Sequence, residues 1–152
     1  MRRIAIACLL AAACSHNTLP GTNIPDNPQT RSVLDTFGRY KNALEARDAS
    51  AILALTAATY SDHGDPARGV PPADYSTVEQ KLRTDFAKVT GIRLEATLKD
   101  LQVRDTEARL DYFQVLRYAV AVPGGERWKS ESDDARMSFV KVQDQWKIAS
   151  GL

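Results

Sequence analysis

Apolar residues recur along this chain at two different periods, and the change from one to the other divides it. From Thr30 the spacing is three and four: Val33, Leu34, Phe37, Tyr40 and Leu44 share one face, with Arg31, Asp35, Arg39, Lys41 and Glu45 between them, which predicts a long amphipathic helix. Asp48 then stands as an N-cap before a shorter helix over Ala49 to Ala57, whose apolar face is Ile52, Leu53 and Leu55. Tyr60 to Pro72 is rich in turn formers and reads as a long loop. Ser76-Thr77-Val78-Glu79 has the form of a capping box and opens a third helix with the stripe Val78, Leu82, Phe86 and Val89, ended by Gly91.

After Gly91 the period falls to two. Ile92, Leu94, Ala96 and Leu98 alternate with polar residues, and Leu101 and Val103 continue in the opposite phase, which predicts a bulge near Lys99-Asp100. Arg104 to Glu107 makes a turn. Ala108, Leu110, Tyr112, Gln114, Leu116, Tyr118, Val120 and Val122 then form one face of a long strand that ends at Pro123-Gly124-Gly125. A third strand runs from Trp128 through Met137, Phe139, Val140 and Val142, with a bulge expected at Asp133-Asp134, and a fourth follows from Trp146. Glu131-Ser132-Asp133-Asp134 reads as a solvated bulge.

The N-terminal segment follows neither period. Arg2 and Arg3 precede the uncharged run Ile4 to Ala13, whose ten residues are half of the ~20 that a helix needs to cross a bilayer, so the run reads as a secretory signal. It ends in Leu10-Ala11-Ala12-Ala13-Cys14, which resembles the lipobox of bacterial lipoproteins. That resemblance implies cleavage before Cys14 and diacylglycerol on its thiol. Ala11-Ala12-Ala13 also satisfies the rule for ordinary signal cleavage, which cuts the same bond and leaves Cys14 as a bare thiol. Ser15 after the Cys resembles outer-membrane sorting in enteric bacteria; inner and outer membrane both stay open. The expected address is a bacterial cell envelope, with the chain exported and held to a membrane through Cys14.

Ser15 to Gln29 holds three Pro, a Gly and many small polar residues, and reads as a flexible tether that includes His16. The expected organisation is a signal over residues 1–13, a lipidated Cys with tether over 14–29, and one domain over 30–152. Composition is consistent with one ordinary globular domain: 152 residues, 43% apolar. With 20 Lys+Arg against 19 Asp+Glu and no basic block, nothing matches a run of phosphates, so no nucleic-acid partner is expected. Loss of Arg2 and Arg3 with the signal leaves a net charge of −1 and a single Cys, hence no intramolecular disulfide.

Three helices followed by a four-stranded antiparallel meander that closes on Trp146-Lys147-Ile148-Ala149-Ser150-Gly151 resemble the NTF2-like (SnoaL-like, cystatin-like cone) superfamily. Ala43-Leu44-Glu45-Ala46-Arg47-Asp48, with Leu53 and Tyr60 downstream, adds to the likeness. What the resemblance implies is an α+β fold over residues 30–152, with helices packed on a curved sheet around a conical pocket. The superfamily hosts isomerases, dehydratases, hydrolases, transport factors and domains without catalysis, so the activity must be argued from the site.

For isomerase or hydratase chemistry a carboxylate base and hydroxyl donors must meet in the cone. Asp62 and His63 are the candidate base and shuttle, set in a turn-rich context that equally suits surface roles. Tyr40, Tyr60, Tyr112, Gln114, Tyr118 and Trp128 are candidate pocket-lining residues, for a small apolar ligand. Gln114 is the most telling, because a buried amide must find partners. Phe113 and Val115, between Asp111 and Arg117 on the other face of the long strand, are candidates for a homodimer interface through the outer sheet face. No metal site is expected, since His63 is the only His of the domain and no Cys accompanies it; no cofactor motif appears. The expectation is a non-catalytic ligand-binding or protein-interaction module on a lipid anchor, with the small-molecule isomerase or hydratase as the alternative.

Overall fold

The computed structural model describes residues 17–152. The signal segment, Cys14 and His16 lie outside the described residues. The described part of the expected tether is folded against the domain. Thr18 bridges Pro25, the amide of Leu19 donates to the Ile24 carbonyl at 2.9 Å, and Ile24 is 1% exposed in the core. Gly21, at φ 73°, turns the chain between Leu19 and Ile24. Two apolar residues in a Pro-rich stretch carry no period, which is why pattern alone reads this segment as linker.

Helix α1 spans Pro28–Ala46 and so begins two residues before Thr30. Asn27 is its cap: the side chain accepts from the amides of Gln29 and Thr30, each at 3.0 Å, and the Thr30 hydroxyl accepts from the Asn27 amide at 3.2 Å. Pro28, with no N–H to leave unpaired, suits the first turn. Arg47 ends the helix in the left-handed region at φ 56°. Helix α2, Ala49–Leu55, has the expected Asp48 cap, which accepts from the Ala51 amide at 2.9 Å. It stops short of Ala57 because the chain there lies beside β-strand residue Ile148: Thr56 is bridged to it, and the Ala57 amide donates to its carbonyl at 2.8 Å.

The long loop has structure of its own. Strand β1, Ser61–Asp62, pairs antiparallel with β2, Ala73–Asp74, across a single turn of 3₁₀ helix at Pro66–Arg68. Helix α3, Tyr75–Phe86, is capped by Asp74 and not by Ser76. One Asp74 oxygen accepts from the Thr77 amide at 2.8 Å and from the hydroxyls of Ser76 and Thr77, so the residues expected to cap are donors to the true cap. The helix ends before Gly91, which opens the sheet instead.

Strands β3 (Gly91–Arg104), β4 (Glu107–Val122), β5 (Gly125–Val142) and β6 (Gln145–Ser150) form an antiparallel meander in that order. The expected bulge is present between Leu98 and Asp100. The one expected at Asp133-Asp134 is not: β5 stays in register with β4 from Gly125 to Val140. Gln143 and Asp144, both at positive φ, make the two-residue turn that right-twisted strands prefer.

The helices cover the inner face of this sheet. Ala108, Leu110 and Tyr112 of β4, Met137 and Phe139 of β5 and Ile148 of β6 are buried there beneath Val33, Phe37 and Tyr40 of α1. The Phe37 and Tyr112 rings meet edge to face at 5.0 Å. Glu45 pins α1 to β3 by accepting the Leu94 amide at 2.9 Å. Beyond Tyr112 packing loosens, because β6 pairs only with Ser138 to Val142 and leaves the rest of β5 as an edge.

Candidate functional site

Where β4 runs past the core, its inner face meets α3 across a gap, and the gap is a cavity of about 590 Å³. Tyr40 and Leu44 of α1 form its base. Val78, Leu82 and Phe86 of α3, with Val89 after it, form one wall. Ile92 of β3 and Gln114, Leu116, Tyr118 and Val120 of β4 form the other, closed at the side by Gly151 and Leu152. Alternation puts all four β4 residues on one face, so the long strand serves as core in its first half and as pocket wall in its second.

Polar groups are few and placed at the wall and rim. The Tyr118 hydroxyl donates to Oε1 of Glu131, on β5, at 2.7 Å. That bond first, with desolvation and the carboxylate charge, raises the Tyr118 pKa, so the phenol stays protonated and serves as a donor. Gln114 lies half-buried opposite Asp133 on β5 and Ala96 on β3. On the α3 side Asp85 stands between Lys81 at 3.3 Å and Lys88 at 3.4 Å. Burial, with the nearby Tyr112 and Tyr60 hydroxyls, pushes the Tyr40 pKa far above its usual value. Burial raises that of Tyr112 to about 12. Neither supplies a base near neutral pH.

Of the six expected lining residues, Tyr40, Gln114 and Tyr118 line the cavity, whereas Tyr60, Tyr112 and Trp128 do not. Tyr60 is buried behind it, its hydroxyl accepting the Leu152 amide at 3.0 Å. Tyr112 is wedged under Phe37. Trp128 sits opposite Ala119 on the outer face, 53% exposed, with its indole over Gly91. The expected bulge would have turned it inward; an unbroken β5 keeps the parity that points Met137 in and Trp128 out.

Asp62 and His63 do not line the cavity either. Both Asp62 oxygens are taken by backbone: Oδ1 accepts the Gly64 amide and Oδ2 the Gly151 amide, each at 2.8 Å. His63 is exposed. Phe113 and Val115 are on the outer face, Phe113 37% exposed with the Lys99 ammonium 5.7 Å from its ring centre, and Val115 half-buried. Among the described residues no group of three His, Cys, Asp or Glu side chains is arranged to hold a metal ion.

Glu131 is the site residue that the pattern hid. Counting back by twos from buried Met137 through Ala135 and Asp133 reaches Glu131 on the inner face, a signal that a presumed bulge interrupts. A second hollow, of about 410 Å³, lies across the far end of the sheet against Gln102, Arg104, Glu107, Arg109 and Ser138. The Nε of Arg109 is buried there without a hydrogen-bond partner, its nearest anion being Asp111 at 3.5 Å. Ala108, Phe139, Val140 and Ala149 give this hollow a smaller apolar lining, and the first cavity, larger and walled mostly by aliphatic and aromatic side chains, is the better receptacle for a ligand.

No family model matches the chain, and no curated protein matches its sequence. Solved structures do match its fold. A protein from Kribbella flavida superposes with a TM-score of 0.71 at 14% identity over 81% of this chain and 87% of its own. A proposed dehydratase of the NTF2-like family from Streptomyces avermitilis gives 0.67 at 16% identity, covering 81% of this chain and 93% of its own. An NTF2-like superfamily protein from Salmonella enterica gives 0.66 at 13% identity, covering 80% and 89%. The fold is therefore NTF2-like: α+β, three helices packed on a four-stranded antiparallel sheet. At these identities the likeness extends to the fold and not to the chemistry.

Proposed function

We propose that the domain is a non-catalytic binding module, exported and held to a bacterial envelope membrane by lipid on Cys14, and that its cavity takes a small, mainly apolar molecule. The observation that carries the binding reading is the cavity itself. Its volume of about 590 Å³ suits a small organic ligand, its walls are mostly aliphatic and aromatic, and its polar side chains are few: Tyr40 at the base, Gln114, the Tyr118–Glu131 pair and the α3 rim. An isomerase or hydratase working through Asp62 or His63 is the weaker reading, because the Asp62 carboxylate is held by two amides and His63 is exposed.

Lipid on Cys14 anchors the chain without any membrane-binding surface on the domain. The outer sheet face, with Phe113, Val115 and Trp128, serves a second copy of the chain, which leaves the cavity on the opposite face open. Uptake of an apolar fluorescent probe by the purified domain tests the binding reading. Val120→Trp, which fills the cavity from β4, is expected to abolish uptake with the melting temperature retained. Equal uptake by that variant would refute the pocket. For the anchor, the full chain is expected to enter the detergent phase on temperature-induced separation and Cys14→Ser to leave it; an aqueous wild type removes the anchor from the proposal.

A further inference from the structure

The two walls of the cavity differ in how their charges are balanced. On α3, Lys81 and Lys88 share the single Asp85 carboxylate, two cations to one anion, so that wall keeps an excess of one positive charge. On β5, Glu131 takes a neutral donor, the Tyr118 hydroxyl, on Oε1, and no ion pair among the described residues involves it. The hydroxyl fixes how the carboxylate is oriented without cancelling its charge. Lys129, the preceding residue on the inner face of β5, stands opposite Tyr118 and does not line the cavity. Glu131, an exposed residue, is thus an oriented anion at the mouth of a pocket whose interior is mostly apolar: Leu82 and Phe86 on one side, Leu116 and Val120 on the other.

A carboxylate so placed is matched by a ligand that brings its own cation, because an ammonium adds to the hydrogen bond a Coulomb attraction that a neutral donor lacks. Taking the cavity as a ligand site, as above, we infer that it is selective for amphiphilic amines, with the protonated nitrogen on Glu131 and the apolar body lying between α3 and β4. The reaction of the site is binding alone: no bond is made or broken, and the amine enters already protonated.

Calorimetric titration of the purified protein with n-octylammonium, n-octanol and n-octanoate at neutral pH tests this. The three probes share a body and differ in the head. Octylammonium is expected to bind about tenfold more tightly than either octanol or octanoate. Glu131→Gln keeps the side chain's shape and an acceptor for Tyr118. It is expected to bring octylammonium down to the octanol level, and the preference is expected to shrink as salt is raised. Lys129→Ala is expected to tighten octylammonium binding, a readout that a merely structural role for this strand would not give. Octanol binding equal to octylammonium, or a preference that survives Glu131→Gln, overturns the selectivity while the pocket stands. Failure of all three probes to bind overturns the pocket itself, and the selectivity with it.

Discussion

Asp62 shows how one side chain's bonds decide between two roles. As a general base it would need a free oxygen directed at a substrate proton. Instead its oxygens accept the amides of Gly64 and Gly151, two backbone positions at positive φ that have little freedom to change. A Cβ on Gly151 would collide with the Arg136 carbonyl, and one on Gly64 with the backbone of Val70 and Pro71. Asp62 therefore staples the loop after α2 to the end of the chain's last strand, beside the residues that close the cavity. Asp62→Ala is expected to leave two amides without partners and to lower stability by about 1–3 kcal/mol in denaturant unfolding. Asp62→Asn, which keeps one acceptor oxygen, is expected to lose less. A base would behave otherwise: both variants would lose turnover with stability retained, and that outcome would restore the enzymatic reading.

Among the elements, α3 is the one whose attachment matters most for the site, because it forms a full wall of the cavity yet buries only Val78 completely. Its start depends on Asp74, whose carboxylate accepts from the Thr77 amide and from two hydroxyls, interactions that hold its pKa down at about 2 against an ordinary 3.8. A depressed carboxylate adds stability that is present above its unfolded pKa and lost as pH falls through the folded one. Amide exchange in the first turn of α3 is accordingly expected to speed up as pH drops from about 4 toward 2, once the intrinsic pH dependence of exchange is removed. Asp74→Asn, a cap without a titrating proton, is expected to abolish that change. Exchange that stays flat in the wild type would show that other contacts hold the helix start. The capping box read from Ser76 to Glu79 placed the helix correctly and its cap wrongly, since hydroxyls able to accept an amide are equally able to donate to a neighbouring carboxylate. The helices, the meander and the bulge at Leu98 were legible because burial repeats at 3.6 or 2 residues. Ile24 was not, having no period around it, and Glu131 was obscured by a bulge that charge density suggested and the sheet does not contain.

On the scale of the whole molecule, the sheet has two faces with different work to do. Its inner face is given to the core and the cavity, and its outer face carries exposed aromatic residues. There Phe113 and Trp128 are exposed, and the charges around them come in opposed pairs: Arg117 with Glu95 at 3.1 Å, Arg136 with Asp111 at 2.6 Å, and Lys99 with Asp134. A surface that carries both signs beside an apolar centre can match itself across a two-fold axis, which is the requirement for a symmetric dimer. Each pair then has the choice of its own partner or the opposite copy's, so the charges fix register more than they add affinity. Sedimentation of the domain at micromolar concentration is expected to give a dimer. Phe113→Glu is expected to give a monomer whose stability stays within about 0.5 kcal/mol of the parent, as for an exposed site. Because the cavity opens on the other side, octanol binding is expected to be the same in dimer and monomer. A wild type that sediments as a monomer defeats the interface; a Phe113→Glu monomer that no longer binds octanol would mean that the two faces are coupled through β4 and do not act separately.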